Sequence, residues 1–181
     1  MACESVGEAA TLLPHCSENV MAQQAPLAFL LHGYLGVGKT TLARRLEAEH
    51  AAIRFTHDEW MRALYGNDPP EAFFAEYAAR VSGLIEATWT RCLELRLNVV
   101  LDFGFWSRSE RDEARALVAR LGGECRLYRV TCPDEIARQR IESRNEDLDA
   151  SLFIAPATYD ALKARFEPLG PDERSTEMIT G

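Results

Sequence analysis

Two kinds of hydrophobic pattern alternate along most of this chain. Short, nearly continuous apolar runs such as Leu27–Leu31 indicate buried strands. Longer stretches with apolar residues three and four positions apart indicate amphipathic helices. From residue 26 onward the two kinds of segment follow one another repeatedly. This alternation predicts an α/β protein in three layers, with a mostly parallel sheet and helices on both of its faces.

Turn and capping residues set the bounds of these predicted elements. A turn cluster fills Gly66–Pro70, Ser107 with Glu110 has the spacing of a capping box, and Gly122-Gly123 ends a helix. The predicted strands are 27–32, 52–56, 98–102 and 126–131, with a final edge strand near 177–180. The predicted helices are 39–50, 58–65, 71–96, 107–121, 133–143 and 156–167.

The N-terminal segment differs from the rest of the chain. Residues 1–25 have no strong period, and Met21 within them is an alternative start. We predict a disordered extension over residues 1–25, followed by one domain over residues 26–181. A domain of that length can bury a substantial core.

Charge and composition narrow the range of partners. The formal net charge is −8, which disfavours broad binding to nucleic acid or to a membrane surface. No apolar run approaches the ~18 residues of a membrane span. The chain has five cysteines, an odd number, and no two of them form a C-x-x-C motif. We therefore predict reduced thiols and a cytoplasmic protein.

One segment has a specific chemical signature. Gly33–Thr40 reads G-x-x-x-x-G-K-[ST] and lies between a predicted strand and a predicted helix, the context that a phosphate-binding loop requires. The loop amides and the helix N-terminus attract phosphate, Lys39 reaches the β- and γ-phosphates, and the Thr40 hydroxyl ligates Mg²⁺. A chance glycine-rich turn would not explain this context. The residues predicted to bind the nucleotide here are Gly33, Gly36, Val37, Gly38, Lys39, Thr40 and Thr41.

Carboxylates follow two other predicted strands. Asp102 closes an apolar strand, where it can hold Mg²⁺ or a metal-bound water together with Thr40. Its alternative role is a helix cap or a loop carboxylate. Asp58 follows the second strand, where it can accept a proton from an attacking hydroxyl. Asp58 is also a suitable N-cap residue, and Glu59 is the alternative base. The letters D-F-G at Asp102–Gly104 do not indicate a protein kinase, because the other protein-kinase motifs are absent.

Arginines and aromatic residues complete the set of candidates. Arg140 and Arg144 lie four positions apart on one helix face and are predicted to bind phosphate oxygens, although a solvated helix face would look the same. We assign Arg138 to the surface. The spacing Phe73–Tyr77–Val81–Leu84 predicts a buried helical stripe. Some aromatic residues could instead line an acceptor pocket, namely Trp60, Tyr65, Phe103, Phe105 and Trp106.

These motifs support a resemblance to a known family. The chain resembles the small P-loop kinases of the AAA-domain ATP-binding group, which are similar to polynucleotide 5′-hydroxyl kinases, zeta toxins, chloramphenicol phosphotransferase, and gluconate or shikimate kinases. The likeness rests on Gly33–Thr40, the Thr-x-Asp-Glu stretch at 56–59, Val99–Asp102, and Arg140 with Arg144, and it covers about residues 26–170.

This resemblance implies a fold, a donor and residue roles. The implied fold is a P-loop NTPase sheet of order 2-3-1-4-5, and the implied donor is ATP with Mg²⁺. Asp58 would be the general base, Lys39 and Thr40 the phosphate and Mg²⁺ ligands, and Arg144 a lid arginine. The corresponding lid, at about 145–155, is short and acidic. Met61 stands where polynucleotide kinases carry an arginine.

Three functions are therefore considered. The favoured one is an ATP-dependent phosphotransferase whose partners are ATP and a small hydroxyl-bearing molecule that the sequence does not identify. The second is a polynucleotide 5′-hydroxyl kinase, with nucleic acid as the less favoured acceptor. The third is a nucleotide-binding regulatory module with slow or no ATP hydrolysis, in which Asp58 would be only a cap.

Overall fold

A five-stranded sheet forms the centre of the protein. The computed structural model describes residues 24–146 and 154–180. In this part of the chain the strands are β1 (Leu27–His32), β2 (Ile53–Thr56), β3 (Val99–Gly104), β4 (Glu124–Thr131) and β5 (Thr176–Ile179). All neighbouring strands pair in parallel, in the order β2-β3-β1-β4-β5. The predicted fold class and the implied strand order are confirmed.

Helices cover both faces of this sheet. They are α1 (Lys39–His50), α2 (His57–Tyr65), α3 (Glu71–Glu94), α4 (Arg108–Arg120), α5 (Asp134–Glu146) and α6 (Pro156–Lys163). The predicted extension 1–25 falls outside the described residues, apart from its last two positions. Among residues 24–146 and 154–180, none of the helices has both the length and the apolarity needed to cross a membrane.

Side chains of the central strands point alternately to two hydrophobic cores. Leu30 and Leu101 pack on one face of the sheet against α3 and α4. Phe29 and Val100 pack on the other face against α1 and α5. Because β1 and β3 lie at the centre of the sheet and are covered on both sides, their sequences are almost continuously apolar. The same alternation turns Asp102 toward the α1 face, where the glycine-rich loop lies.

Several predicted elements have other bounds in the structure; α6, for example, ends at Lys163 and not near 167. Two further differences have a clear physical reason. Strand β3 continues to Gly104, two residues beyond the predicted end, because Asp102 interrupts the apolar run without interrupting the strand. In α3 the buried residues are Val81, Ile85, Trp89, Cys92 and Leu93. Phe73 and Leu84 of the predicted stripe are instead 50% and 55% exposed. In the first turns of α3, Tyr77 stacks on Tyr65 of α2, and the fully buried stripe begins only at Val81.

A buried ion pair fixes the path of the chain into β5. Arg111 of α4 is fully buried, and its Nε and Nη2 each donate to the Glu173 carboxylate at 2.8 Å. Arg111 Nη1 also donates to the Phe105 carbonyl at 3.0 Å. The predicted capping box of Ser107 and Glu110 at the start of α4 is present. Together these contacts join α4, the segment after β3 and the tail that leads to β5.

Candidate active site

A cleft of about 910 Å³ opens at the carboxyl ends of the strands. Ligands of parallel α/β sheets bind in this position. Its walls contain Gly36, Gly38, Lys39, Thr40, Thr41, Arg44, Thr56, Asp58, Glu59, Arg62, Ile136, Gln139, Arg140, Ser143, Arg144 and Thr180. The fold therefore brings together most of the predicted site residues, from three separate segments of the chain, and adds Thr180 from a fourth segment.

The glycine-rich loop between β1 and α1 forms one wall of the cleft. Gly36 and Gly38 have φ values of 75° and 89°, a region that favours glycine. A Cβ atom on Gly36 would lie 2.4 Å from the Ala137 carbonyl oxygen, so this position has no room for a side chain. Gly33 and Val37 do not line the cleft. The Gly33 amide donates to the Gly104 carbonyl at 3.2 Å, and the Val37 side chain is buried in the core.

Lys39 extends back over this loop. Its Nζ donates to the Tyr34 carbonyl at 2.7 Å. Burial lowers the pKa of Lys39, whereas the charges of Asp102 and Asp58 act in the opposite direction. Both the residue predicted to bind metal and the residue predicted to accept a proton therefore favour the charged form of Lys39.

Asp102 does not itself line the cleft but is buried beside Thr40, which does. Thr40 Oγ1 donates to Asp102 Oδ2 at 2.7 Å. Asp102 Oδ1 is buried and, within the described residues, has no hydrogen-bond partner. Burial raises the pKa of Asp102, and Lys39 opposes that rise. A buried carboxylate oxygen without a partner is costly. A hydrated Mg²⁺ could satisfy this oxygen, so the donor set of Thr40 and Asp102 fits that ion.

Asp58 lines the cleft from the first turn of α2. Helix α2 begins at His57 with Thr56 at its cap, and no side chain caps it. Asp58 therefore lies inside the first turn, exposed to the cleft, and does not serve as the cap. The Glu59 carboxylate is held by Arg54 through two hydrogen bonds of 3.1 and 3.0 Å. This pairing makes Glu59 the less suitable base.

The two predicted phosphate-binding arginines have different surroundings. Arg140 Nη1 donates to Thr180 Oγ1 at 2.9 Å and approaches the Gly36 carbonyl at 3.5 Å. Arg144 is exposed and lines the cleft near the end of α5. Most of the predicted lid at 145–155 lies outside the described residues. Arg138 is on the surface, as predicted, and pairs with Asp134 and Asp160.

Sequence reasoning missed Thr180 and Arg44. Thr180 follows β5, and its hydroxyl donates to the Val37 carbonyl at 2.9 Å while accepting from Arg140. The sequence around Thr180 does not indicate this role, because its partner Val37 is 143 residues away in the chain. Arg44 lies one turn beyond Thr40 on α1, a spacing that could have identified it.

The charges on the cleft walls contrast with the charge of the whole chain. Among the residues that the structure describes, five cationic side chains face the cleft, namely Lys39, Arg44, Arg62, Arg140 and Arg144. The same described walls contain two carboxylates, those of Asp58 and Glu59. The net charge of the described walls is thus positive in a chain of net charge −8. Such a cleft concentrates an anionic ligand locally.

The predicted aromatic acceptor pocket is not part of this cleft. Trp106 supports the glycine-rich loop, with its Nε1 donating to the Gly33 carbonyl at 3.3 Å and its ring 5.3 Å from that of Tyr34. Trp60 and Tyr65 pack against the core beside α2 and α3. Phe103 and Phe105 face a separate cavity on the other side of β3. The aromatic residues therefore shape the surroundings of the cleft and do not line it.

Fold and cleft together define a P-loop NTPase-like domain. The chain belongs to the AAA domain family, whose sequence pattern matches residues 29–169. Membership of this family implies nucleotide binding. No curated protein matches the chain by sequence.

Several solved structures share this fold. A proposed kinase from Chloroflexus aurantiacus J-10-fl has 16% identity and a TM-score of 0.70, over 86% of this chain and 89% of that one. A gluconokinase from Sinorhizobium meliloti 1021 has 17% identity and a TM-score of 0.57, over 86% and 83%. A chain of the Pnkp1/Rnl/Hen1 RNA repair complex has 21% identity and a TM-score of 0.63, over 77% and 43%. At these identities the likeness establishes the fold alone.

The contacts of Thr180 give a first testable expectation. Thr180→Val keeps the shape of the side chain but removes hydrogen bonds to the loop and to Arg140, each worth about 1 kcal/mol. We expect the dissociation constant for Mg·ATP to rise roughly fivefold to tenfold, as measured by calorimetry. Thr180→Ser retains the hydroxyl and should bind like the wild type. If the serine variant is as weak as the valine variant, the hydroxyl is not the relevant group.

Proposed function

We propose that the protein transfers the γ-phosphoryl group of ATP to a hydroxyl of a small molecule. One observation carries the proposal. Lys39, Thr40 and Asp58 line one cleft whose described walls are net cationic, and the buried Asp102 accepts a hydrogen bond from Thr40. Phosphoryl transfer depends on positioning and on electrostatic stabilisation, and these residues can supply both. Family membership supports the donor class, whereas the acceptor class rests on the site itself.

Each side chain has a definable task in this reaction. Asp58 accepts the proton of the acceptor hydroxyl, whose oxygen forms a bond to the γ-phosphorus. The bond from that phosphorus to the β,γ-bridging oxygen breaks, and ADP is the leaving group. Lys39 and Arg144 stabilise the negative charge on the transferred group. Thr40 and Asp102 would hold Mg²⁺, which would neutralise charge on the phosphates when bound.

A small molecule fits the observations better than a nucleic acid does. Because the net charge is −8, most of the protein surface disfavours binding of a polyanion. The buried Met61 occupies the position where the resemblance would require an arginine for a polynucleotide acceptor. Neither argument identifies the molecule. We likewise propose a cytoplasmic location on the basis of the free thiols of Cys92, Cys125 and Cys132.

The direct test is acceptor-dependent release of ADP. Purified protein with Mg·ATP would be incubated with hydroxyl-bearing metabolites, nucleosides and 5′-hydroxyl oligonucleotides in turn. We expect at least one small molecule to accelerate ADP release and to appear as a phosphomonoester. Stimulation by oligonucleotides alone, falling steeply with salt, would favour the polynucleotide kinase. Nucleotide binding without stimulation by any acceptor would favour the regulatory module.

Asp58→Asn tests the assignment of the base. The substitution keeps the size of the side chain but removes its capacity to accept a proton. We expect the rate of transfer to fall by about 10²- to 10⁴-fold while the dissociation constant for Mg·ATP changes by less than about twofold. Glu59→Gln is the matched control, and its rate should fall far less because Arg54 already holds that carboxylate. The assignment fails if the two variants lose activity equally.

A further inference from the structure

A second cavity, of about 660 Å³, lies on the opposite face of the sheet from the glycine-rich loop. It is bounded by α3, α4, the end of β3 and His57 at the start of α2, and its volume is within the range of small-molecule sites. Because strand side chains alternate, Leu101 and Phe103 point into this cavity while Asp102 between them points to the nucleotide cleft. Its lining residues are different from those of that cleft. The cavity is thus a separate compartment.

The floor of this cavity is apolar and aromatic. Four core residues contribute to it, namely Ile85, Trp89, Leu101 and Phe105. The rest of each of these residues is buried in the core. The rings of Phe103 and Phe105 lie 5.5 Å apart, centre to centre, and form one wall. Core side chains fix these rings in place. A preformed wall of this kind favours a flat or bulky apolar group.

The rim of this cavity is acidic. Glu86 of α3 and Glu110 and Glu113 of α4 line it, and all three residues are exposed. Glu110 and Glu113 each use one oxygen locally, for the Ser107 amide at 3.1 Å and the Ser109 hydroxyl at 2.7 Å. Arg120 is the cationic side chain of the lining, ten residues and about 15 Å along α4 from Glu110. The rim near Glu110 therefore has a negative charge.

We propose that this cavity is a second ligand site, which binds an amphipathic cation. The apolar body of the ligand would rest on Trp89 and the two phenylalanine rings, and its ammonium group would face the glutamates of the rim. A carboxylate or phosphate ligand would be repelled at the same position. The site does not depend on phosphoryl transfer, because none of its residues is assigned a role in that reaction.

The test uses two probes of matched shape and opposite charge. These are 2-(1-naphthyl)ethylammonium and 3-(1-naphthyl)propionate, titrated separately into the full-length protein by calorimetry. We expect the ammonium probe to bind at least about tenfold more tightly than the carboxylate probe. The double variant E86Q/E113Q should reduce that ratio toward one. Glu76→Gln, also on α3 but outside the cavity, should leave it unchanged.

A second variant tests the location of binding. Ser82 is exposed and lines the cavity, so Ser82→Trp should fill the space and prevent binding of the ammonium probe without disturbing the core. Lys39→Ala should bind this probe normally, which separates the second site from the nucleotide cleft. The proposal is overturned if neither probe binds, if the two probes bind equally well, or if Ser82→Trp binds like the wild type.

Discussion

Lys39→Ala is expected to reduce γ-phosphoryl transfer by about 10³-fold, because it removes a preorganised charge from the position of the phosphates. The ammonium already lies across the loop, where the Tyr34 carbonyl accepts its hydrogen bond and the charges of Asp102 and Asp58 favour its charged form before any ligand arrives. The loss should affect the dissociation constant for Mg·ATP as well as the rate. Initial rates of ADP formation at saturating acceptor would measure the effect.

The chain provides a matched control for this substitution. Lys163 is the other lysine of the sequence, and it pairs with Asp134 on the surface near α6. Lys163→Ala removes the same charge from the whole chain but not from the cleft, so its rate should be close to that of the wild type. Similar losses in the two variants would show that net charge, and not the position of Lys39, controls activity.

Glu173→Ala is expected to lower the free energy of unfolding by about 3–5 kcal/mol, because it leaves the guanidinium of Arg111 buried without its carboxylate. The Glu173 side chain is 1% exposed and also accepts from the Gly170 amide at 2.9 Å and from Arg115. Its loss would free the tail that leads to β5, and with it Thr180. Urea denaturation followed by circular dichroism would measure the change.

The adjacent residue supplies the control for this loss of stability. Asp172 pairs with Arg108 at 2.6 Å, but its side chain is 63% exposed. Exposed pairs contribute about 0–1 kcal/mol, so Asp172→Ala should have little effect. If both variants unfold at the same urea concentration, the buried pair is not the element that fixes the tail.

The same carboxylate predicts a dependence of stability on pH. Hydrogen bonds from Arg111 hold the pKa of Glu173 well below its ordinary value of 4.5. The stabilisation is therefore complete above that ordinary pKa and is lost as the pH falls below it toward the lower folded-state value. The Glu173→Gln variant lacks this titrating carboxyl. Its free energy of unfolding should therefore not show the loss at acidic pH that protonation of Glu173 causes in the wild type.

The sequence was sufficient for most of the fold and for the centre of the site, for a physical reason. The glycine-rich loop requires a strand before it and a helix after it, so Gly33–Thr40 located one binding wall from local spacing alone. The carboxyl ends of parallel strands meet at one edge of a sheet, which explains why Asp58 and Asp102 could be placed near that loop.

The features that the sequence did not predict depend on long-range contacts. Thr180 reaches the loop only because β5 pairs with β4, and Arg111 meets Glu173 across 62 residues of sequence. The burial of α3 was mispredicted because its first turns pack against α2. This contact changes which face of α3 is exposed, but the local pattern of apolar residues in the sequence does not reveal it. No single window of the sequence contains both partners of such contacts.

Calorimetry with purified protein, Mg²⁺ and the non-hydrolysable analogue AMPPNP tests the central claim most directly, since it requires no knowledge of the acceptor. The account predicts saturable binding of one nucleotide per chain, weakened strongly by Lys39→Ala and not by Lys163→Ala. Absence of binding heat from the wild-type protein across a range of temperatures would contradict it.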